Sequence, residues 1–160
     1  MNRGVFLVTF ALVCSGAVSG QSRESGLTCS QSAGAEKPDL VPVLPHPMNG
    51  KIVVKNLGKG LAAPSKMTLD CEKMSTPVSQ CPDLPISAAS TYFDPAFPKN
   101  ATINVPQLAP GATFEHTLSF WETLHWPSGR YRFTAVADAA HVLSERNTKN
   151  NIAVSTLVVP

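Results

Sequence analysis

Charge is the first thing this chain is short of. Only 15% of its 160 residues are Asp, Glu, Lys or Arg, and they are scattered, with no run of five or more of one sign. A surface that tracks phosphates needs clustered Lys and Arg, so nucleic acid is not expected as a partner. Catalytic signatures are missing too. There is no G-x-S-x-G, no H-E-x-x-H and no Cys with a His nearby in the chain. His46, His116, His125 and His141 are far apart and lack the i,i+2 or i,i+4 pairing that sets two imidazoles on one ligand face. No C-x-x-C accompanies the cysteines, which argues against zinc. Nothing singles out a pair of carboxylates for glycoside hydrolysis. Helical periodicity over three turns is also absent. These gaps point away from an enzyme; the competing reading is a small metal-dependent or hydrolytic enzyme of the periplasm.

The first twenty residues are an export signal by pattern. Arg3 gives a short positive region, Val5 to Val13 is almost unbroken apolar chain, and Ser15, Gly16, Ala17, Ser19 and Gly20 supply small residues for cleavage. The apolar stretch is too short to span a bilayer. Cys14 raises bacterial lipid anchoring, but Val13 stands where that signal resembles a site needing Gly, Ala or Ser, so ordinary cleavage is expected. The mature protein is then periplasmic or secreted and does not span the membrane. Residues 21–37 are rich in Ser, Gly, Gln and charge and read as a flexible leader. In an oxidising compartment, Cys71 and Cys81 are placed to close a short loop; Cys29 is left over, free or pairing between chains, or competing for one of the other two.

From Pro38 onward, short runs rich in β-branched and aromatic residues alternate with turn signals. Asp39 to Leu44, with Pro42 inside it, suits a sheet edge. Lys51 to Asn56 is a second run. Ser65 to Cys71 alternates with a period of two, as a half-buried strand requires. Ala101 to Val105 follows, before Leu108-Ala109-Pro110-Gly111, where Pro followed by Gly fits the central positions of a type II turn. Phe114, His116, Leu118 and Phe120 share one face of the next run, which makes His116 a packed core histidine. Tyr131, Phe133, Ala135 and Ala137 share a face after Gly129, and Ile152, Val154, Thr156 and Val158 close the series. Seven such strands predict an all-β sandwich with one long proline-rich insertion, Glu72 to Asn100. Tyr131, at the start of the sixth strand, resembles a tyrosine corner, whose hydroxyl bonds to backbone.

Two connections hold the candidate site. Glu72–Asn100 contains Tyr92, Phe93 and Phe97, and Glu122–Ser128 contains His125 and Trp126 just after Trp121. Connections this long are usually functional or disordered. The rings either form an aromatic platform for a sugar or peptide, or fold back as a satellite core, and burial is the default. His125, beside Trp126 and Glu122, is the leading surface site among the histidines. A second cluster, Asp138, Glu145, Asn147, Asn150 and Asn151, offers oxygens of the kind calcium takes. Only two of these are carboxylates, and Asn and Asp also stabilise tight turns; the turn role is preferred, and no cofactor is expected.

Several of these segments resemble the bacterial cell-adhesion-related domains called CARDB: Pro38-Asp39-Leu40-Val41, Ile52-Val53-Val54-Lys55-Asn56-Leu57-Gly58, Leu108-Ala109-Pro110-Gly111, Gly129-Arg130-Tyr131-Arg132-Phe133-Thr134-Ala135, and the ending Asp138…Val142…Glu145-x-Asn147…Asn150-Asn151. They occur in the family's order and cover Pro38 to Val159. The resemblance implies an immunoglobulin-like, seven-stranded antiparallel sandwich in an exported bacterial protein. Its role would be a non-catalytic binding or structural module that presents loops to a protein, peptide or glycan of the envelope or exterior. The insertion is longer than such domains usually carry, and Thr148 replaces an acid found in many members, which weakens any cation site at that end.

Overall fold

The computed structural model describes residues 36–44, 49–74 and 81–160. The export signal, Cys14, the leader up to residue 35, Cys29 and His46 lie outside the described residues. Seven strands occupy the rest: β1 Leu40–Val43, β2 Lys51–Asn56, β3 Ser65–Lys73, β4 Ala101–Val105, β5 Thr113–Thr117, β6 Gly129–Val136 and β7 Ile152–Val159. They form two antiparallel sheets, β1-β2-β5 and β4-β3-β6-β7. Among the described residues, no helix is long and apolar enough to cross a membrane.

The alternation read from the sequence sets which side chains meet between the sheets. Leu40, Ile52 and Val54 come from the first sheet; Met67, Leu69, Ile103, Tyr131, Phe133, Ala135 and Leu157 come from the second. Burying each large side chain contributes about 1.5–3 kcal/mol. The last strand departs from expectation. Ile152, Val154 and Val158 are 59%, 59% and 64% exposed, and Leu157 is the residue that enters the core. Pairing with β6 sets Ala153 beside Ala135 and Ser155 beside Phe133, so the small residues take the inner positions beside that filled face.

Turn chemistry follows the expected pattern. Ala112 N–H donates to the Ala109 carbonyl at 3.0 Å and Gly111 has φ +75°, as the third position of a type II turn requires. Pro42 lies on an edge strand. Tyr131 is fully buried and its hydroxyl donates to the Pro127 carbonyl at 2.6 Å, fixing the entry to β6. Gly60 is required by close approach: a Cβ there would stand 1.9 Å from the Glu36 carbonyl oxygen. The long insertion is not structureless; Ile86–Tyr92 forms a seven-residue helix, α1, which turns Ala88 and Tyr92 inward.

Candidate functional site

Cys71, near the end of β3, is bonded to Cys81, with Cα atoms 6.1 Å apart. This pins the start of the insertion to the sheet. Beyond it, α1 is held by Tyr92, whose ring lies edge-on to Phe120 at 5.0 Å. The Tyr92 hydroxyl accepts the Ser119 N–H at 3.4 Å and lies 3.1 Å from His116 Nε2. Burial holds the His116 imidazole below its ordinary value, which favours the neutral ring as acceptor of the tyrosine proton. Asp94, just after α1, pairs with Lys66 of β3, and that ammonium holds its carboxyl below the usual range. The insertion is therefore anchored at both ends of its helix.

On the other side, the short 3-10 turn Trp121–Thr123 carries Trp121 into the core against Phe133 (5.2 Å between centroids) and Trp126 (4.9 Å). Trp126 is half-buried and meets Tyr131 edge-on at 5.1 Å. Between the two walls lies a cleft of about 600 Å³. Its lining includes Phe93, Trp121 and Trp126, with Leu84, Leu124 and Pro98 as further apolar surface, and Asp83 and Lys99 as its charged side chains. This volume falls within the range of small-ligand and side-chain sites.

Of the residues singled out in the sequence, Phe93, Trp121 and Trp126 thus share one cleft. Phe93 is exposed, whereas Trp121 is buried with Tyr92 in the core cluster. Phe97 is half-buried and His125 exposed, and neither lines the cleft. Leu84, Asp83 and Lys99 were missed. They sit in a segment without periodicity, where only proximity in the fold could find them.

The polar cluster does something different. Asp138 is buried at φ +44°, and its carboxylate accepts the Val142 and Leu143 N–H groups at 3.1 and 3.0 Å. Glu145 accepts the Leu40 N–H and the Asn151 amide, both at 2.6 Å. Asn150 donates to Asp39 at 2.8 Å, and Asn147 accepts the Lys149 N–H at 3.1 Å. These side chains build the β6–β7 connection and tie it to β1. Among the described residues, no three His, Cys, Asp or Glu side chains converge as a metal group.

Two of the solved structures that the chain resembles are domains of archaeal proteins. One is the CARDB domain of a Pyrococcus furiosus protein in complex with di-metal ions: 21% identity, 78% of this chain and 94% of that one covered, TM-score 0.47. The other is the 272–376 domain of a candidate cell surface protein of Methanosarcina acetivorans: 17% identity, 78% and 93% covered, TM-score 0.49. No curated protein sequence matches. The family model for CARDB matches residues 45–155, well over half of the chain and from β2 into the first half of β7, and the chain belongs to the CARDB family.

Proposed function

We propose that this protein is an exported, non-catalytic binding module of the bacterial envelope or exterior, and that the cleft between the proline-rich insertion and the Trp121–Trp126 segment receives an apolar group of a protein, peptide or glycan. The cleft is the observation that carries the reading. Its aromatic rings are rigid and partly desolvated, so they offer contact area at low entropic cost. Among the described residues, its charged side chains are one carboxylate and one amine, Asp83 and Lys99, and no imidazole lines it. That set orients a ligand more readily than it transfers a proton.

Trp121 and Trp126 are the chain's two tryptophans and both line the cleft, so intrinsic fluorescence reports its occupancy. Soluble peptidoglycan fragments and a displayed peptide library serve as probes. A ligand from either class is expected to shift the emission, and Phe93→Ser is expected to weaken binding about tenfold, the equivalent of about 1.4 kcal/mol for losing an aromatic contact of the cleft wall. Binding that survives Phe93→Ser unchanged, or probes of both classes that leave the emission untouched, would reject the cleft as the site.

A further inference from the structure

Four strands form sheet edges, and three of them are guarded. In β1 the Asp39 carbonyl accepts the Leu57 N–H, so it faces β2 and alternation turns Leu40 and Pro42 outward. Glu145 takes the Leu40 N–H, and Pro42 has none. β4 has five residues and stops at Pro106. β5 also has five, with Glu115 at its centre paired to Lys51 at 2.6 Å. Natural sheets blunt their edges with such short strands, charges and prolines.

β7 is longer, and apart from Pro160 just beyond its end it carries no such device. Its eight residues, Ile152–Val159, contain no charge, no proline and no glycine. Ala137 N–H donates to the Asn151 carbonyl, so the odd-numbered positions face β6 and the backbone groups of Ile152, Val154, Thr156 and Val158 face the open side. Among the described residues no strand pairs there. Ile152, Val154 and Val158 stand exposed on the sheet's outer face, with Thr156 exposed among them.

We propose that β7 is a self-association strand: two copies join β7 to β7, antiparallel, about a two-fold axis perpendicular to the sheet. Charge argues for a second copy as the occupant. With the axis at Ser155, Ile152 of one copy meets Val158 of the other, and Val154 meets Thr156, so the seam itself holds no charge. One strand in, Arg130 lies beside Val158 and Val136 beside Ile152. The antiparallel order therefore sets the Arg130–Arg132 end of each copy against the uncharged Val136–Ile152 end of the other. Arg132, beside Thr156, is paired to Glu72 of its own copy, so it brings no unpaired charge toward the seam. Like charges nowhere face each other across the seam, and both copies use one self-complementary patch.

Sedimentation of the mature chain from about 1 μM to about 1 mM tests this, with Cys29→Ser included to remove any interchain disulfide. A dimer is expected that persists in Cys29→Ser and weakens at least about tenfold in Val154→Lys and in Thr156→Pro. Hydrogen exchange gives a readout independent of those variants: the Val154 and Thr156 amides should exchange freely in dilute protein and be protected in concentrated protein. A monomer throughout the range, a dimer indifferent to Val154→Lys, or edge amides exchanging equally at both concentrations would overturn the proposal.

Discussion

Glu145 brings a carboxylate into a nearly closed site, 8% exposed, where its oxygens accept from the Leu40 N–H and the Asn151 amide. Burial pushes its carboxyl above the ordinary 4.5, and the Asp138 and Asp39 charges add to this, while hydrogen bonds from Leu40 and Asn151 pull the other way. With the folded value above the unfolded one, the protonated carboxyl favours the fold. That contribution is fully present below about pH 4.5 and fades as pH rises through the raised value. Glu145→Gln should flatten this slope, because a carboxamide stays neutral and the unpartnered Asn151 Oδ1 can turn to accept its N–H. Glu145→Ala should cost about 1–3 kcal/mol, more at pH 4 than at pH 7, since the Leu40 N–H is left without an acceptor and the favourable protonated carboxyl is lost. Urea midpoints at pH 4 and pH 7 measure both; an equal slope in wild type and Glu145→Gln would refute the account.

Asn56 acts on whole elements. Fully buried at the end of β2, it accepts the Asp39 and Gly58 N–H groups at 3.1 and 3.0 Å and donates to the Gly60 and Leu108 carbonyls at 2.9 and 3.0 Å. One side chain thereby joins β1, the β2–β3 turn and the β4–β5 turn. Asn56→Ala should cost roughly 3 kcal/mol or more, because several buried backbone groups lose their partners together. Asn56→Asp keeps the acceptor but faces a carboxylate with two carbonyls, and should be at least as severe. An Asn56→Asp midpoint within about 1 kcal/mol of wild type would show that the three elements do not depend on this hub. The strands themselves were legible because period-two alternation states both the element and its face, as in Ser65–Cys71 and Tyr131–Ala137. In β7 the apolar residues stand at both parities (Ile152, Val154, Val158 against Leu157, Val159), so the larger set suggested the wrong face; only the register with Phe133 decides it. The hub role of Asn56 was not legible at all: sequence marks it only as the end of a strand, because its partners Asp39 and Leu108 are far away in the chain.

At the scale of the molecule, the cleft depends on the insertion for one of its two walls. Tyr92 reaches His116 and Phe120 across more than twenty residues, a contact no local pattern announces, and α1 at seven residues is too short to show a periodicity. The insertion is held by the Cys71–Cys81 bond, the Tyr92 contacts and the Lys66–Asp94 pair, while the sheets are held by the common core. Removing the bond should therefore separate the two. In Cys71→Ser/Cys81→Ser the unfolded chain regains the freedom of a ten-residue separation, a loss of about 2–4 kcal/mol and on the order of 10 °C in Tm. The double variant should still fold, because Tyr131 and Phe133 remain enclosed by both sheets. Its amide exchange should rise over residues 83–99 and stay slow through β6, and cleft binding should fall by more than the stability change alone predicts, since one wall has lost its anchor. Exchange that rises equally in β6 would mean that insertion and sandwich unfold as one unit, and that the bond supports the whole protein rather than its binding wall.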